Sequence, residues 1–301
     1  MSFRGTACAV DAGRPSCRFT EERVDLHVHS THSDGVKKPE ELLRIASKAQ
    51  VKVLALCDHD TVAGVAEMLQ CAKEQPGMTV VPGVEVSTGT SGNVHVLGYG
   101  PAVLSTELQQ FWQHAGSDRQ SRAEAMLDKL TDAGIVIPPS LRADLLSNPG
   151  VGRPHIARAL VELGVVNTVK QAFDRYLAQG KCAYVPRSLP TAAETVERMR
   201  EMGAVPVLAH PLLLNLEWPA LCALVQQLQQ CGLMGLEAWH PSASAGNARL
   251  LDGLARQNGL LVTGGSDYHG DAGSTVHVGR LPAGWQSRMA DAEALIQATR
   301  I

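Results

Sequence analysis

The stretch Val24–Gly35, VDLHVHSTHSDG, places three histidines and two aspartates within twelve residues. Val24, Leu26 and Val28 alternate with Asp25, His27 and His29, the period-two pattern of a strand with one aliphatic face. His27 and His29 therefore project from the same face, as two ligands of one metal ion do. A lone histidine is more often satisfied in a polar core. Here the same chemistry recurs along the chain: Asp58 and His59 in CDHD, Glu85 in VPGVEVS, His95 in NVHVLGYG, His210 in VPVLAHP, and Asp267 with His269 in GGSDYH. An ionised Glu85 among valines is costly unless it is paired or bound to metal. His95 taken alone favours neither reading. Asp267 and His269 repeat the i, i+2 relation of the first pair. A mixed His/Asp/Glu set without cysteine suits zinc, manganese or iron rather than a thiolate site.

These residues need elements to carry them. Val24–Val28 reads as a strand, followed by a helix from Pro39 to about Gln50 with proline in its first turn. VKVLALCD reads as a buried strand ending at Asp58, with Asp60 or Thr61 as the cap of the next helix. TVVPGVEVST and NVHVLGYG read as strands, and AVPVLAH, LMGLEAWH and LLVTGGSD as three more, each after a helical stretch such as Leu221–Cys231 or Asn247–Asn258. Alternating strands and helices imply a parallel sheet with right-handed crossovers. Asp58-His59, Glu85, His210, Glu237/His240 and Asp267/His269 fall at the C-terminal ends of strands, where parallel α/β barrels build their active sites. Residues 105–185 break the pattern with helix after helix and read as a helical insertion domain. Residues 1–23, with four arginines, Gly5, Gly13 and Pro15, read as a disordered extension.

The bulk numbers exclude other classes. A chain of 301 residues with 45% hydrophobic and 19% charged residues fits one large α/β domain with an insertion. The net charge of −3 provides no global basic field for nucleic acid or membrane, so an anionic ligand must be held by a local cluster. Aromatics at 4% argue against a base-stacking platform. Seven scattered cysteines without a CxxC pair read as reduced thiols in a cytoplasmic protein. No apolar run approaches the roughly 18 residues that a membrane span needs.

In this order, DLHVHSTHSDG, LCDHDT, PGVEVS, HVLGYG, LAHP and GSDYHG resemble the motifs of the PHP (polymerase and histidinol phosphatase) family, related to the amidohydrolases. The resemblance covers residues 24–104 and 186–301 and implies a distorted (β/α)7 barrel of the PHP type, holding two or three divalent metal ions. Manganese is expected first, with zinc or iron as alternatives. It further implies that His27, His29, Glu85 and Asp267 bind one metal, that Glu85 bridges to a second held with His95 and His210, and that Asp34, His59 and His269 bind a third. Many members carry histidine where Asp34 stands, which makes this third site more anionic. His32 is either a supporting neighbour or solvated, while Asp25 and Asp58 are expected to accept from free ring N–H groups of ligand histidines.

Clustered divalent metals favour phosphoester hydrolysis. In the helix SDRQSRAEAMLDKLTDAG, the apolar stripe of Met126, Leu130 and Ala133 extends backwards onto Arg122 and Arg119. Cations in a first helical turn oppose the macrodipole, and a bound phosphate would resolve that. The competing reading is a solvated pair beside Asp118 and Glu124. Arg153 and His155 in GRPHIARAL and Lys181 in GKCAYVP extend the candidate substrate-binding set, whereas Arg158 fits a solvated helix face. GRPHIARAL and AYVP resemble the branch containing 3′,5′-nucleoside bisphosphate phosphatases and enzymes that trim short RNA from its 5′ end. The resemblance thus implies a cytoplasmic metal-dependent phosphoesterase removing the 3′-phosphate of nucleotides such as adenosine 3′,5′-bisphosphate. A 5′→3′ exoribonuclease on short 5′-phosphorylated RNA and a non-catalytic nucleotide-binding or polymerase-associated domain are the alternatives. The expected partner is a nucleotide or a short RNA, with neither a membrane nor a DNA duplex.

Overall fold

A computed structural model describes residues 23–75, 77–89, 94–116, 119–148, 150–187, 189–285 and 288–300. The expectation for the first 23 residues lies outside these apart from Arg23, which opens the first strand. The sheet has seven strands in sequence order: β1 Arg23–Val28, β2 Val51–Leu56, β3 Thr79–Ser87, β4 His95–Tyr99, β5 Val205–Leu208, β6 Gly235–Trp239 and β7 Leu261–Gly264. It curls until β1 meets β7 through one bridge, Val28 to Tyr268, with the backbone bonds His29 N–H to Tyr268 O (3.0 Å) and Asp267 N–H to His27 O (2.8 Å). Gly265 permits this approach, since a Cβ there would lie 2.1 Å from that of His27.

Helices α1 Pro39–Lys48, α2 Ala63–Ala72, α3 Thr106–Gly116, α4 Arg119–Asp132, α5 Pro139–Ser147, α6 Arg153–Glu162, α7 Val169–Ala172, α8 Ala192–Glu201, α9 Trp218–Gln230, α10 Ala245–Gln257 and α11 Met289–Ala298 complete the order. The all-parallel expectation fails at one strand: β4 pairs antiparallel with both β3 and β5. Only residues 88–94 connect β3 to β4, too few for the dozen or more residues of a crossover. The reversal brings the start of β4, and so His95, to the same end of the sheet as the ends of its neighbours.

Among the described residues, two apolar clusters are buried. One fills the barrel and its outer helices, from Val24 to Leu295. The other joins Met126, Leu127 and Leu130 of α4 to Ile156 and Leu160 of α6, Val166 and Leu177. Leu108 and Trp112 of α3 pack in the barrel cluster, so the separate core starts at α4 rather than at residue 105. Ala133, assigned to the apolar stripe from sequence, is exposed beyond the end of α4.

Candidate metal centre and anion cavity

The alternation of β1 points Leu26 and Val28 into the barrel packing and His27 and His29 toward its mouth, all fully buried. Their Nε2 atoms lie 3.0 Å apart, a separation that accommodates at most one shared proton. Glu85 Oε2, from β3, stands 3.2 Å from His27 Nε2 and 3.3 Å from His29 Nε2. Asp267 Oδ1, just after β7, is 3.0 Å from His29 Nε2. Ligand atoms of these four side chains all lie within 4.8 Å of one another.

Two more groups share members with the first. His59 Nδ1 is 3.1 Å from Glu85 Oε2, and His95 Nδ1 and His210 Nε2 are each 2.8 Å from Glu85 Oε1. His59, Glu85 and His95 converge within the same 4.8 Å limit, as do His29, Asp34, His59 and His269. Asp34 Oδ1 stands 3.2 Å from His269 Nε2. It arrives on the turn after β1, where Gly35 packs so closely that a Cβ would sit 2.4 Å from His29 O. All nine residues named from sequence as metal ligands thus meet in one continuous cluster, with Glu85 at its centre.

The electrostatics fit cations. Burial disfavours charge on every group, yet at His27 it is outweighed by Glu237 and Glu85, which hold the imidazole well above its usual range. At His29, burial is overcome by Asp267 and Glu85, and the pKa is lifted to about 10. At His59 burial prevails and lowers it to about 4. Glu85 is driven upward by burial, but His59, His95 and His27 hold it well below the carboxylate range. The carboxylates around His27 and His29 therefore demand positive charge at this point, and the close Nε2 pair cannot supply it with a proton on each nitrogen. A divalent cation supplies the same charge through the same nitrogen and oxygen atoms. Among the described residues, His29 Nδ1 and His210 Nδ1 are buried without a hydrogen-bond partner.

The supporting residues differ from those expected. Asp25 accepts from Ser266 N–H (2.8 Å) and Gly279 N–H (2.7 Å), so it fastens β1 to the segment after β7 rather than orienting an imidazole. Asp58 accepts from Ser30 N–H and Oγ–H and from Ser33 Oγ–H, shaping the turn that presents Asp34. The residue that holds His27 is Glu237, 3.0 Å from its Nδ1, which also accepts from His210 N–H at 2.7 Å. A glutamate buried in LEAW was the available signal for Glu237. His240 Nε2, 3.4 Å from Asp267 Oδ2, joins it. His32 pairs at 3.1 Å with Glu67 on a half-exposed surface, apart from the cluster.

Beside the cluster lies a cavity of about 450 Å³, whose lining includes Asp34, His59, His95, Arg119, Arg122, Arg153, His155, Tyr184 and Arg187. Arg122 is buried, and its Nε–H donates to Val185 O at 2.8 Å. Burial, with Arg153 and Arg187 nearby, lowers its pKa to about 10, so it stays charged at neutral pH. Arg153 lies over the rings of Phe173 (5.5 Å) and Tyr184 (5.9 Å). Among the described residues, no carboxylate lies within ion-pair distance of Arg122 or Arg153. Arg119 differs, being tied to Asp60 and to His59 O. Asp60 caps no helix: α2 begins after Val62, and Thr61 Oγ1 accepts from Ala63 N–H. His155 Nδ1 accepts from Gly152 N–H and its Nε2 lies 3.2 Å from Asn148 Nδ2, so both nitrogens serve the start of α6. Lys181 is exposed and outside the cavity lining, although Gln179 and Tyr184 on either side of it line the cavity. Arg158 is no solvated residue, since it pairs with Asp271 at 2.5 Å. Arg187, which the sequence reading omitted, lines the cavity near the return to the barrel.

Residues 25–131 match the PHP domain model. The chain is 37% identical to a 5′-3′ exoribonuclease of Haemophilus influenzae, over 88% of this chain and 92% of that one. It is 31% identical to a 3′,5′-nucleoside bisphosphate phosphatase of Chromobacterium violaceum, over 86% and 92%. A solved structure from Bifidobacterium adolescentis, assigned as a metal-dependent phosphoesterase, superposes with a TM-score of 0.79 at 27% identity, covering 92% of this chain and 96% of that chain.

Proposed function

Because this chain belongs to the PHP family of metal-dependent phosphoesterases, we propose that it hydrolyses the P–O3′ bond of a nucleotide whose 5′-phosphate is seated in the arginine-lined cavity. The observation that carries this reading is the adjacency of two unlike sites. One is a His/Asp/Glu cluster suited to divalent cations, and the other holds two guanidiniums that no carboxylate among the described residues pairs. His27, His29, Glu85 and Asp267 would hold one ion. Glu85 with His95 and His210, and Asp34 with His59 and His269, would hold a second and a third, manganese being our first choice. When bound, such ions supply polarisation of phosphoryl oxygens and acidification of water near neutral pH.

The chain's own groups do the rest. Arg122 and Arg153 pair with the 5′-phosphate through charge-assisted hydrogen bonds. The Phe173 and Tyr184 rings set the plane of Arg153 without neutralising it, as a carboxylate would. Glu237 holds the His27 ring in place, and Asp58 holds the turn that carries Asp34. With the 5′-phosphate seated, the ribose directs its 3′-oxygen substituent toward the cluster.

A 3′,5′-bisphosphate and a 5′-phosphorylated RNA present the same P–O3′ bond; in RNA the phosphorus also carries the next nucleotide. The primary reading is release of inorganic phosphate from a nucleoside 3′,5′-bisphosphate. The second, stepwise release of mononucleotides from short RNA, is favoured by the higher identity to the exoribonuclease. A cytoplasmic location accords with the free cysteines Cys57, Cys71, Cys182, Cys222 and Cys231, and no helix among the described residues is long and apolar enough to cross a membrane. Product analysis with manganese decides between the substrates. Phosphate from adenosine 3′,5′-bisphosphate supports the first reading, and 5′-mononucleotides from 5′-phosphorylated RNA support the second. Turnover of neither would overturn both.

A further inference from the structure

We propose that Asp60 is a positioning residue that fixes the anion-reading wall of the cavity at a set distance from the metal-ligand cluster. The inference rests on the reading of that cavity as the seat of the substrate's 5′-phosphate. Asp60 follows His59 and takes a left-handed backbone conformation, φ +55°. Its N–H donates to Glu85 O at 2.8 Å, and its Oδ1 accepts from Ser87 N–H at 2.7 Å. The side chain is thus rooted on the two strand ends that carry His59 and Glu85. Its other oxygen, Oδ2, accepts from Arg119 of α4 and, at 3.2 Å, from Arg187. Arg119 also donates to His59 O at 3.2 Å. Asp60 itself lies behind the cavity wall, its side chain 2% exposed.

The four cavity arginines therefore divide by role. Arg119 and Arg187 converge on one buried carboxylate and bind the helical segment to the barrel. Arg122 and Arg153 are held by a carbonyl and by aromatic rings, and keep their charge for a ligand. The ribose fixes the span between the 5′-phosphate and the 3′-phosphorus. A cavity wall held at one distance turns that span into a requirement, and a displaced wall forfeits one of the two anion contacts of a substrate held at both ends, a loss of about 10- to 100-fold in affinity at roughly 1.5–3 kcal/mol per charge-assisted contact.

A rival account gives Asp60 the role of charge neutralisation alone, and the two accounts predict opposite signs. Asp60→Asn removes a negative charge beside the guanidiniums of Arg119 and Arg187. Neutralisation alone predicts a lower KM for an anionic substrate. Positioning predicts a KM for adenosine 3′,5′-bisphosphate raised about tenfold or more, with kcat changed less than KM. Asp60→Glu keeps the charge but lengthens the arm, and positioning predicts the same direction of change. Competition by adenosine 5′-monophosphate, which needs the cavity but not the span, should weaken less than the bisphosphate KM rises. Elemental analysis should find metal content equal to wild type, and thermal melting should find both variants folded. A lower or unchanged KM in Asp60→Asn overturns the proposal. Loss of metal overturns it too, by making Asp60 a support for His59. If Asp60→Glu does not fold, the sign of the Asp60→Asn change decides alone. Arg122→Ala separates the underlying reading. If Arg122→Ala loses preference for the 5′-phosphorylated substrate while Asp60→Asn keeps its KM, only the positioning role fails. If Arg122→Ala keeps that preference, the reading of the cavity fails.

Discussion

At the scale of the residue, Glu85 carries the most. Four histidines, His27, His59, His95 and His210, lie within 3.2 Å of its two oxygens. Replacing it with glutamine removes the negative charge on which those imidazoles converge. Glu85→Gln should lose more than one bound metal ion per chain and fall to background hydrolysis, by elemental analysis and assay of a folded variant. Glu237→Gln should be milder. Glu237 acts through His27, so metal affinity should fall about 10- to 100-fold while the site can still be filled at excess metal. Unchanged metal in Glu85→Gln would contradict the central place given to that side chain. Eight of the nine converging residues were legible because they lie near a strand end or in the turn after one, and His95, which opens β4, because it too sits in a motif with its own spacing. Glu237 was harder to read. It supports the site through His27 Nδ1 and His210 N–H, and those partners are 210 and 27 residues away. Asp25 and Asp58 were read correctly as buried acids near the site but given the wrong partners, because backbone N–H groups compete for carboxylates and leave no mark in a sequence.

At the scale of the element, the strands were visible by their aliphatic runs, whereas the direction of β4 was misread despite a connection too short for a crossover. Helix caps were less legible still, as Asp60 was drawn off to Arg119 and Arg187. One buried network makes the last helices of the barrel testable. Asp252 of α10 accepts from Trp239 Nε1–H of β6 at 2.9 Å and Arg256 Nε–H at 2.7 Å, and meets Arg288 at 2.6 Å just before α11. Burial raises its pKa, but the Trp239 and Arg256 hydrogen bonds and the Arg288 charge outweigh that and hold it below the ordinary value. A depressed folded-state pKa stabilises above the unfolded value, about 3.9, and that contribution disappears as pH falls through the folded value. Asp252→Asn should cost about 1–3 kcal/mol at pH 7, discounted toward the lower end because Arg256 is half exposed. Urea denaturation should show the gap to wild type constant above about pH 5 and shrinking below about pH 4. A gap that widens with acid would have the wrong sign.

At the scale of the whole molecule, one sheet end gathers the metal-ligand cluster, and a second apolar core built on α4 and α6 brings arginines beside it. Helix periodicity pointed Arg119 and Arg122 toward the protein, but it could not tell which of them a carboxylate already holds. That depended on Asp60, 59 residues before Arg119. On the proposed function, the cavity reads a 5′-phosphate while the cluster acts on the 3′ side. That claim is tested most directly by comparing kcat/KM for adenosine 3′,5′-bisphosphate and adenosine 3′-monophosphate under one metal condition. Charge-assisted contacts contribute roughly 1.5–3 kcal/mol each, so the bisphosphate should be favoured by about 10- to 100-fold or more. Equal efficiencies on the two substrates would contradict the account.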